Sequence, residues 1–195
     1  MTTERPILFS APMVRAILAG TKTQTRRALH SDLFISSGGA VVRMASAGPA
    51  TTGIREAHCP YWREPGDRLW VRETHMDLGA CYLYRADLGA ETERALVAPG
   101  QRWRPAIHMP RAASRITLEV TGVGVEKLSD ISREDALAEG IGEAYGGFGL
   151  PDGSHFHAAD PRESYWSLWE AINGTGSVAA DPLVWVVKFS KLQNG

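Results

Sequence analysis

The stretch that most constrains the fold is residues 114–128, "SRITLEVTGVGVEKL". Ile116, Leu118 and Val120 alternate with polar neighbours, which is the period of a half-buried strand. Gly122 breaks the alternation and Val123 and Val125 resume it. That pattern describes a bent strand or a hairpin, of the kind that shapes a small closed barrel. Further β-prone runs accompany it. "PGDRLWVRET" turns at Pro65-Gly66-Asp67 and then alternates Leu69 with Val71. "CYLYRAD" at 81–87 reads as another strand, and "PLVWVVKFSKL" at 182–192 closes the chain as one.

Three short helices punctuate these strands. In "SAPMVRAILAG" Ser10 stands at the cap, Pro12 in the first turn, and Val14, Ile17 and Leu18 on one face before the stop at Gly20. In "SREDALAEG" Ser132 and Asp135 approximate a capping box and Gly140 ends the helix. In "DPRESYWSLWEAING" Asp160 caps, Pro161 is the first helical residue and Glu163 the third. There Tyr165, Trp166, Leu168, Trp169 and Ile172 form a wide apolar stripe. Residues 31–60 lack strand or helix period over most of their length and read as an insertion or a loose-ended hairpin; 141–159 read as loop. The expected class is α+β around a small barrel, as a single domain over 1–195.

Composition narrows the function. Apolar content of 44%, charged content of 22% and a net charge of −1 are those of a soluble globular protein, so contact with a polyanion requires a local patch. Two cysteines without a CxxC pair favour a reducing, cytoplasmic setting. No apolar run reaches the ~20 residues of a membrane span, and "MTTERPILFS" is not a secretory signal.

Metal chemistry finds little support: His58, Cys59, His155 and His157 lack the paired spacing of a zinc site. "GVGVEK" and "YGGFG" match neither phosphate-loop fingerprint and read as turns. Residues 101–115 are richer. Arg102, Arg104, Arg111 and Arg115 occur without an acid among them, interleaved with Trp103 and His108. That pattern suits a stacked base beside a phosphate, or equally a basic surface connection with Trp103 buried.

The segment "GTKTQTRR" at 20–27 follows the first helix stop. In a regular strand Lys22 and Thr25 would face opposite ways, whereas a turn gathers them on one side. A desolvated lysine loses its proton more readily and serves as a base toward a hydroxyl or a water. Glu139 ends the second helix, where the negative end of the dipole disfavours a carboxylate and suits a group that takes and gives protons. From spacing alone, a solvated charged loop competes with this triad.

"ILAGTKTQTRR" resembles the K-T-x-T-x-R signature of ASCH-domain proteins, a branch of the PUA-like superfamily. "PGDRLWVRE", "SRITLEVTGV", "DALAEGI" and "VWVVKFSKL" follow in the order that family shows. The resemblance covers about half the chain, with insertions at about 31–60, 75–110 and 142–160, a form similar to phage and prophage members. It implies a small β-barrel with a cleft. It also implies, by likeness to bacterial N(4)-acetylcytidine amidohydrolases, that Lys22, Thr25 and Glu139 are catalytic, with neither cofactor nor metal. Arg27 matches the arginine that ends the motif and would hold the pyrimidine or the oxyanion. Arg26, an additional cation, is a further substrate-binding candidate, as are Trp103, Arg104 and Arg111. Backbone N–H groups of residues 20–25 are expected to form an oxyanion hole. Two other readings remain open: an RNA-binding or ribonuclease-like RNA-processing ASCH module, and a non-catalytic nucleotide-binding phage protein.

Overall fold

The computed structural model describes residues 3–29, 33–35, 41–45, 48–53, 59, 66–89, 92, 101–144 and 146–192. Five strands form the central sheet: β1 (Glu4–Leu8), β2 (Gln24–Ala28), β6 (Arg68–Arg72), β9 (Thr117–Lys127) and β12 (Leu183–Lys191). Their order is β1-β6-β9-β12-β2. The β1–β6 pair is parallel and the other three are antiparallel. With helices α1 (Ala11–Leu18), α2 (Arg133–Ala138) and α3 (Pro161–Asn173), the fold is α+β.

The long alternating run is one strand rather than a hairpin. Its break is a bulge: Lys188 pairs with Gly122 but Phe189 with Val120, which leaves Thr121 as the extra residue. Leu118 and Val120 are buried before the bulge, and Val184 and Val187 are buried opposite on β12. They join Ile7, Val14, Ile17, Leu69 and Val71 in the core, with Tyr165 and Trp169 of α3 packed into the same cluster.

Two helix caps follow the expected chemistry. The Ser132 hydroxyl accepts from Asp135 N while the Asp135 carboxylate accepts from Ser132 N. The Asp160 carboxylate accepts from Arg162 N at the start of α3. Ser10 precedes α1 but makes no side-chain cap.

Several expectations are corrected. The closed barrel is not closed among the described residues: β1 and β2 are the sheet's two edges. The edges do approach, and the Arg27 side chain spans them to donate to the Leu8 carbonyl at 2.7 Å. "CYLYRAD" holds only a three-residue strand, β8 (Tyr82–Tyr84), followed by a tight turn at Arg85–Asp87. The expected insertion or loose-ended hairpin at 31–60 carries an antiparallel sheet, and the expected loop at 141–159 carries a two-stranded one. β3 (Leu33–Ile35), β4 (Val41–Ala45) and β5 (Gly48–Gly53) make an antiparallel three-stranded sheet. β7 (His75–Asp77) pairs with β8, and β10 (Gly142–Ala144) with β11 (Gly147–Gly149). No helix among the described residues is long and apolar enough to cross a membrane.

Candidate functional site

Residues 20–27 run between the C-terminal ends of two helices. Gly20, at φ 79°, turns the chain out of α1. Thr21 N and Lys22 N then both donate to the Ala16 carbonyl, and Thr23 N donates to the Ala138 carbonyl at the end of α2. The loop therefore satisfies the last carbonyls of two helices before it enters β2. This corrects the oxyanion-hole expectation for the N–H groups of Gly20, Thr21, Lys22 and Thr23, which are all bonded within the fold.

The same anchoring carries Lys22 to Glu139. Lys22 Nζ donates to the Glu139 carbonyl at 2.7 Å and to its Oε2 at 2.9 Å. Gly140 makes this approach possible. It adopts φ 99°, and a Cβ there would lie 3.3 Å from the Lys22 Cβ and 3.1 Å from the Ala16 Cβ. Lys22 and Glu139 are each 3% exposed. Burial pulls the Lys22 ammonium below its ordinary range; Glu139 opposes that shift, while Arg27 and Arg26 add to it.

Arg26 is enclosed by three carboxylates. It donates to Glu139 Oε1 at 3.1 Å and to Glu126 Oε1 at 2.8 and 2.5 Å, and its Nη2 lies 3.2 Å from Asp135 Oδ2. Its side chain is fully buried. Arg26 was expected to hold substrate, but its guanidinium is committed to clamping the other oxygen of Glu139 and tying β2 to β9 and α2. Gln24, on the same face of β2, reinforces the tie through the Asp135 carbonyl and carboxylate.

Arg27 differs from its two neighbours. Among the described residues it pairs with no carboxylate. It donates to the Leu8 carbonyl and lies over the Phe9 ring, 5.4 Å from the centroid. Lys22 Nζ lies 5.5 Å from the same ring, so Phe9 supports both cations through its π face.

These residues converge on one pocket of about 120 Å³, set where the two sheet edges approach. Lys22, Thr25, Arg26, Arg27 and Glu139 line it together with Phe9 and Met13. Helix α3 supplies the opposite wall through Tyr165, Leu168, Trp169 and Ile172, the last 67% exposed at the rim. Thr25 is 4% exposed, and its hydroxyl makes no hydrogen bond among the described residues. The pocket thus gathers a desolvated amine, a hydroxyl, a carboxyl group and a cation. Those groups can take a proton, attack or orient a nucleophile, return the proton, and hold an oxygen.

Trp103, Arg104 and Arg111 do not line this pocket. Arg104 pairs with Asp77 and Arg111 with Glu4, so neither is the free cation that its acid-free sequence context promises. Arg115 is chelated by Glu73 and Asp87. Trp103 is half-buried with its indole N–H unpartnered among the described residues.

The histidines serve locally. His157 Nδ1 accepts from Asp160 N, and His155 Nδ1 contacts the Ser167 hydroxyl; His58 lies outside the described residues. No grouping of three or more His, Cys, Asp or Glu side chains suited to a metal occurs among the described residues.

Sequence reasoning missed Tyr165 and Trp169 as pocket residues, because an apolar stripe at helical spacing reads as core. It also missed Phe9 and the Glu126–Asp135 clamp, which has no local signal. No protein-family model, curated protein or solved structure matches the chain.

Proposed function

We propose that the chain is an amidohydrolase that removes the acyl group from N(4)-acylated cytidine, working without a metal on a PUA-like (ASCH) version of the α+β fold. The observation that carries this reading is the convergence of Lys22, Thr25 and Glu139 on one pocket, with Arg27 beside them.

The Lys22–Glu139 hydrogen bond suits the chemistry. Moving one proton from Nζ to Oε2 converts a buried ion pair into a neutral amine and a carboxylic acid, which are a base and an acid held 2.9 Å apart. The amine takes the proton of the nucleophile as it adds to the acyl carbonyl. The amide C–N bond then breaks, and Glu139 protonates the departing 4-amino group. Arg27 holds an oxygen of the substrate in this reading. The nucleophile is either Thr25 Oγ1, which would leave an acyl-threonine that water hydrolyses, or a water that Thr25 orients. Intact-protein mass spectrometry after rapid quenching separates the two, since only the first gives an acylated chain.

The direct test is incubation with N(4)-acetylcytidine, with and without chelator, following cytidine release by chromatography. Turnover that survives chelator and vanishes in Lys22→Ala is expected. Full activity in Lys22→Ala sinks the mechanism, and turnover abolished by chelator replaces it with a metal-dependent one.

A second reading, an RNA-binding or RNA-processing module, is favoured by one feature outside the pocket. Arg72 and Arg111 both lie over the Trp70 ring on β6, 5.4 and 5.9 Å from its centroid, as cations and an aromatic do on a stacking platform. A nucleotide-binding protein without catalysis is the outcome in which ligand binds and no product appears.

A further inference from the structure

Among the described residues, three of the eight buried side-chain polar atoms without a partner belong to residues of the candidate pocket. Arg27 Nε, Tyr165 Oη and Trp169 Nε1 are sealed from bulk solvent and, among the described residues, hydrogen-bonded to nothing. A buried polar group left unsatisfied is costly, so each such group calls for a partner. Two of the three are obligate donors, since neither an indole nor a guanidinium N–H has an acceptor to offer. Burial pushes the Tyr165 phenol well above its ordinary range, so it too remains an O–H.

We propose that Arg27, Tyr165 and Trp169 form a donor-rich subsite that reads the acceptor edge of a planar heterocycle, a ring carbonyl next to an unprotonated ring nitrogen. Identifying that ring as cytosine rests on the function proposed above. Cytosine presents a carbonyl and a bare ring nitrogen side by side, whereas uracil places an N–H where the nitrogen acceptor should be. The subsite therefore favours the first base over the second, because an indole or guanidinium N–H that meets the bare nitrogen of cytosine would meet an N–H of uracil. The side chains of Met13 and Leu168 supply the apolar walls that such a ring requires.

The test is calorimetric titration of the whole protein with cytidine and with uridine, neither of which carries an acyl group to hydrolyse. Cytidine is expected to bind at least about tenfold more tightly than uridine. Tyr165→Phe and Trp169→Phe are each expected to weaken cytidine by about tenfold. Thermal melts matched to the parent show that the variants remain folded. Equal affinity for the two nucleosides, no detectable cytidine binding, or an undiminished affinity in a folded Tyr165→Phe protein would each overturn the subsite. Cytidine preference without hydrolysis of N(4)-acetylcytidine rejects the hydrolase and keeps the subsite. Hydrolysis with an unchanged KM in Tyr165→Phe does the reverse.

Discussion

Lys22 holds both the backbone carbonyl and the carboxylate of Glu139 through a single Nζ, at 2.7 and 2.9 Å. The double contact fixes the lysine relative to the end of α2 as well as to one rotamer of Glu139. It also places the amine on a residue whose second oxygen is clamped by Arg26. The pair is therefore coupled to the tie between β2, β9 and α2, and disturbing it affects stability as well as chemistry.

Removing one partner of a buried pair strands the other charge. Glu139→Ala leaves Lys22 without a carboxylate, whereas Arg26 keeps Glu126 and Asp135. A loss of about 3–5 kcal/mol in urea unfolding is expected. Lys22→Met costs less, because Glu139 retains Arg26, and Lys22→Met/Glu139→Leu recovers much of the loss. A Glu139→Ala cost below about 1 kcal/mol contradicts a desolvated pair.

The Lys22 amine should titrate below its ordinary value of 10.5. Burial is the main cause, Arg27 and Arg26 act with it, and Glu139 acts against it. Replacing Glu139 by Gln removes that opposition, so the midpoint of the Nζ resonance in heteronuclear NMR should fall further. The folded value lies below the unfolded one, so the unfolded chain binds the extra proton between them. Stability from this group is thus complete above 10.5 and declines as pH falls toward the folded value. Under the proposed function the pair must keep one proton for the departing amine, so kcat/KM falls as pH rises through the same titration. An Nζ midpoint at or above 10.5 argues against Lys22 as a base.

Gly140→Ala tests how closely Lys22 approaches the end of α2. The left-handed backbone alone costs about 1–2 kcal/mol. The new methyl also meets Ala16 Cβ at 3.1 Å and Lys22 Cβ at 3.3 Å. Gly146→Ala carries a similar φ of 83° with nothing within 4 Å, and so reports the backbone strain alone. Greater destabilisation and a larger fall in turnover are expected at 140 than at 146. Equal effects would mean that Lys22 tolerates displacement.

The local parts of this design are legible in the sequence and the non-local parts are not. Gly20, Ser132, Asp160 and Gly140 mark helix ends because caps and stops act over a few residues. Lys22 and Thr25 are near in sequence, and the end of α2 singles out Glu139. Glu126 reaches Arg26 across 100 residues through β12, and no local pattern encodes such a contact. Tyr165 and Trp169 have the same periodicity whether their polar atoms meet core or pocket. Arg104, Arg111 and Arg115 read as free in sequence because their acids, Glu4, Glu73, Asp77 and Asp87, lie elsewhere in the chain.

Arg115 shows how far such a remote acid depends on its cation. Its guanidinium meets both oxygens of Glu73, at 2.9 and 3.1 Å, and Glu73 is 1% exposed. Burial holds Glu73 above the usual carboxylate range even with Arg115 present. Arg115→Met should destabilise by about 3–5 kcal/mol at neutral pH. A raised folded value means that stability is full below the unfolded value of 4.5 and is lost as pH rises through the folded one. The deficit relative to the parent should therefore shrink when unfolding is measured near pH 4.5. A pH-independent deficit would assign the loss to packing against Tyr84, whose ring centroid lies 3.9 Å from the guanidinium.

Added salt separates the two functional readings. An uncharged nucleoside releases no counterions when it enters the pocket, so kcat/KM for N(4)-acetylcytidine should be nearly flat as salt is raised. Single-stranded RNA that neutralises Z protein cations loses affinity with a log–log slope of about −0.7Z. The platform residues sharpen the contrast. Arg72 already donates to the Ile107 carbonyl and Arg111 to Glu4, so an RNA phosphate must compete with internal partners for both. Arg72→Ala and Arg111→Ala should therefore leave nucleoside turnover within about twofold of the parent. If RNA is the ligand, each should weaken binding and lower the salt slope by about one phosphate contact. Steep salt dependence of binding, lost in these variants and accompanied by no nucleoside turnover, would reverse the preference and move the functional surface from the pocket to the face of β6.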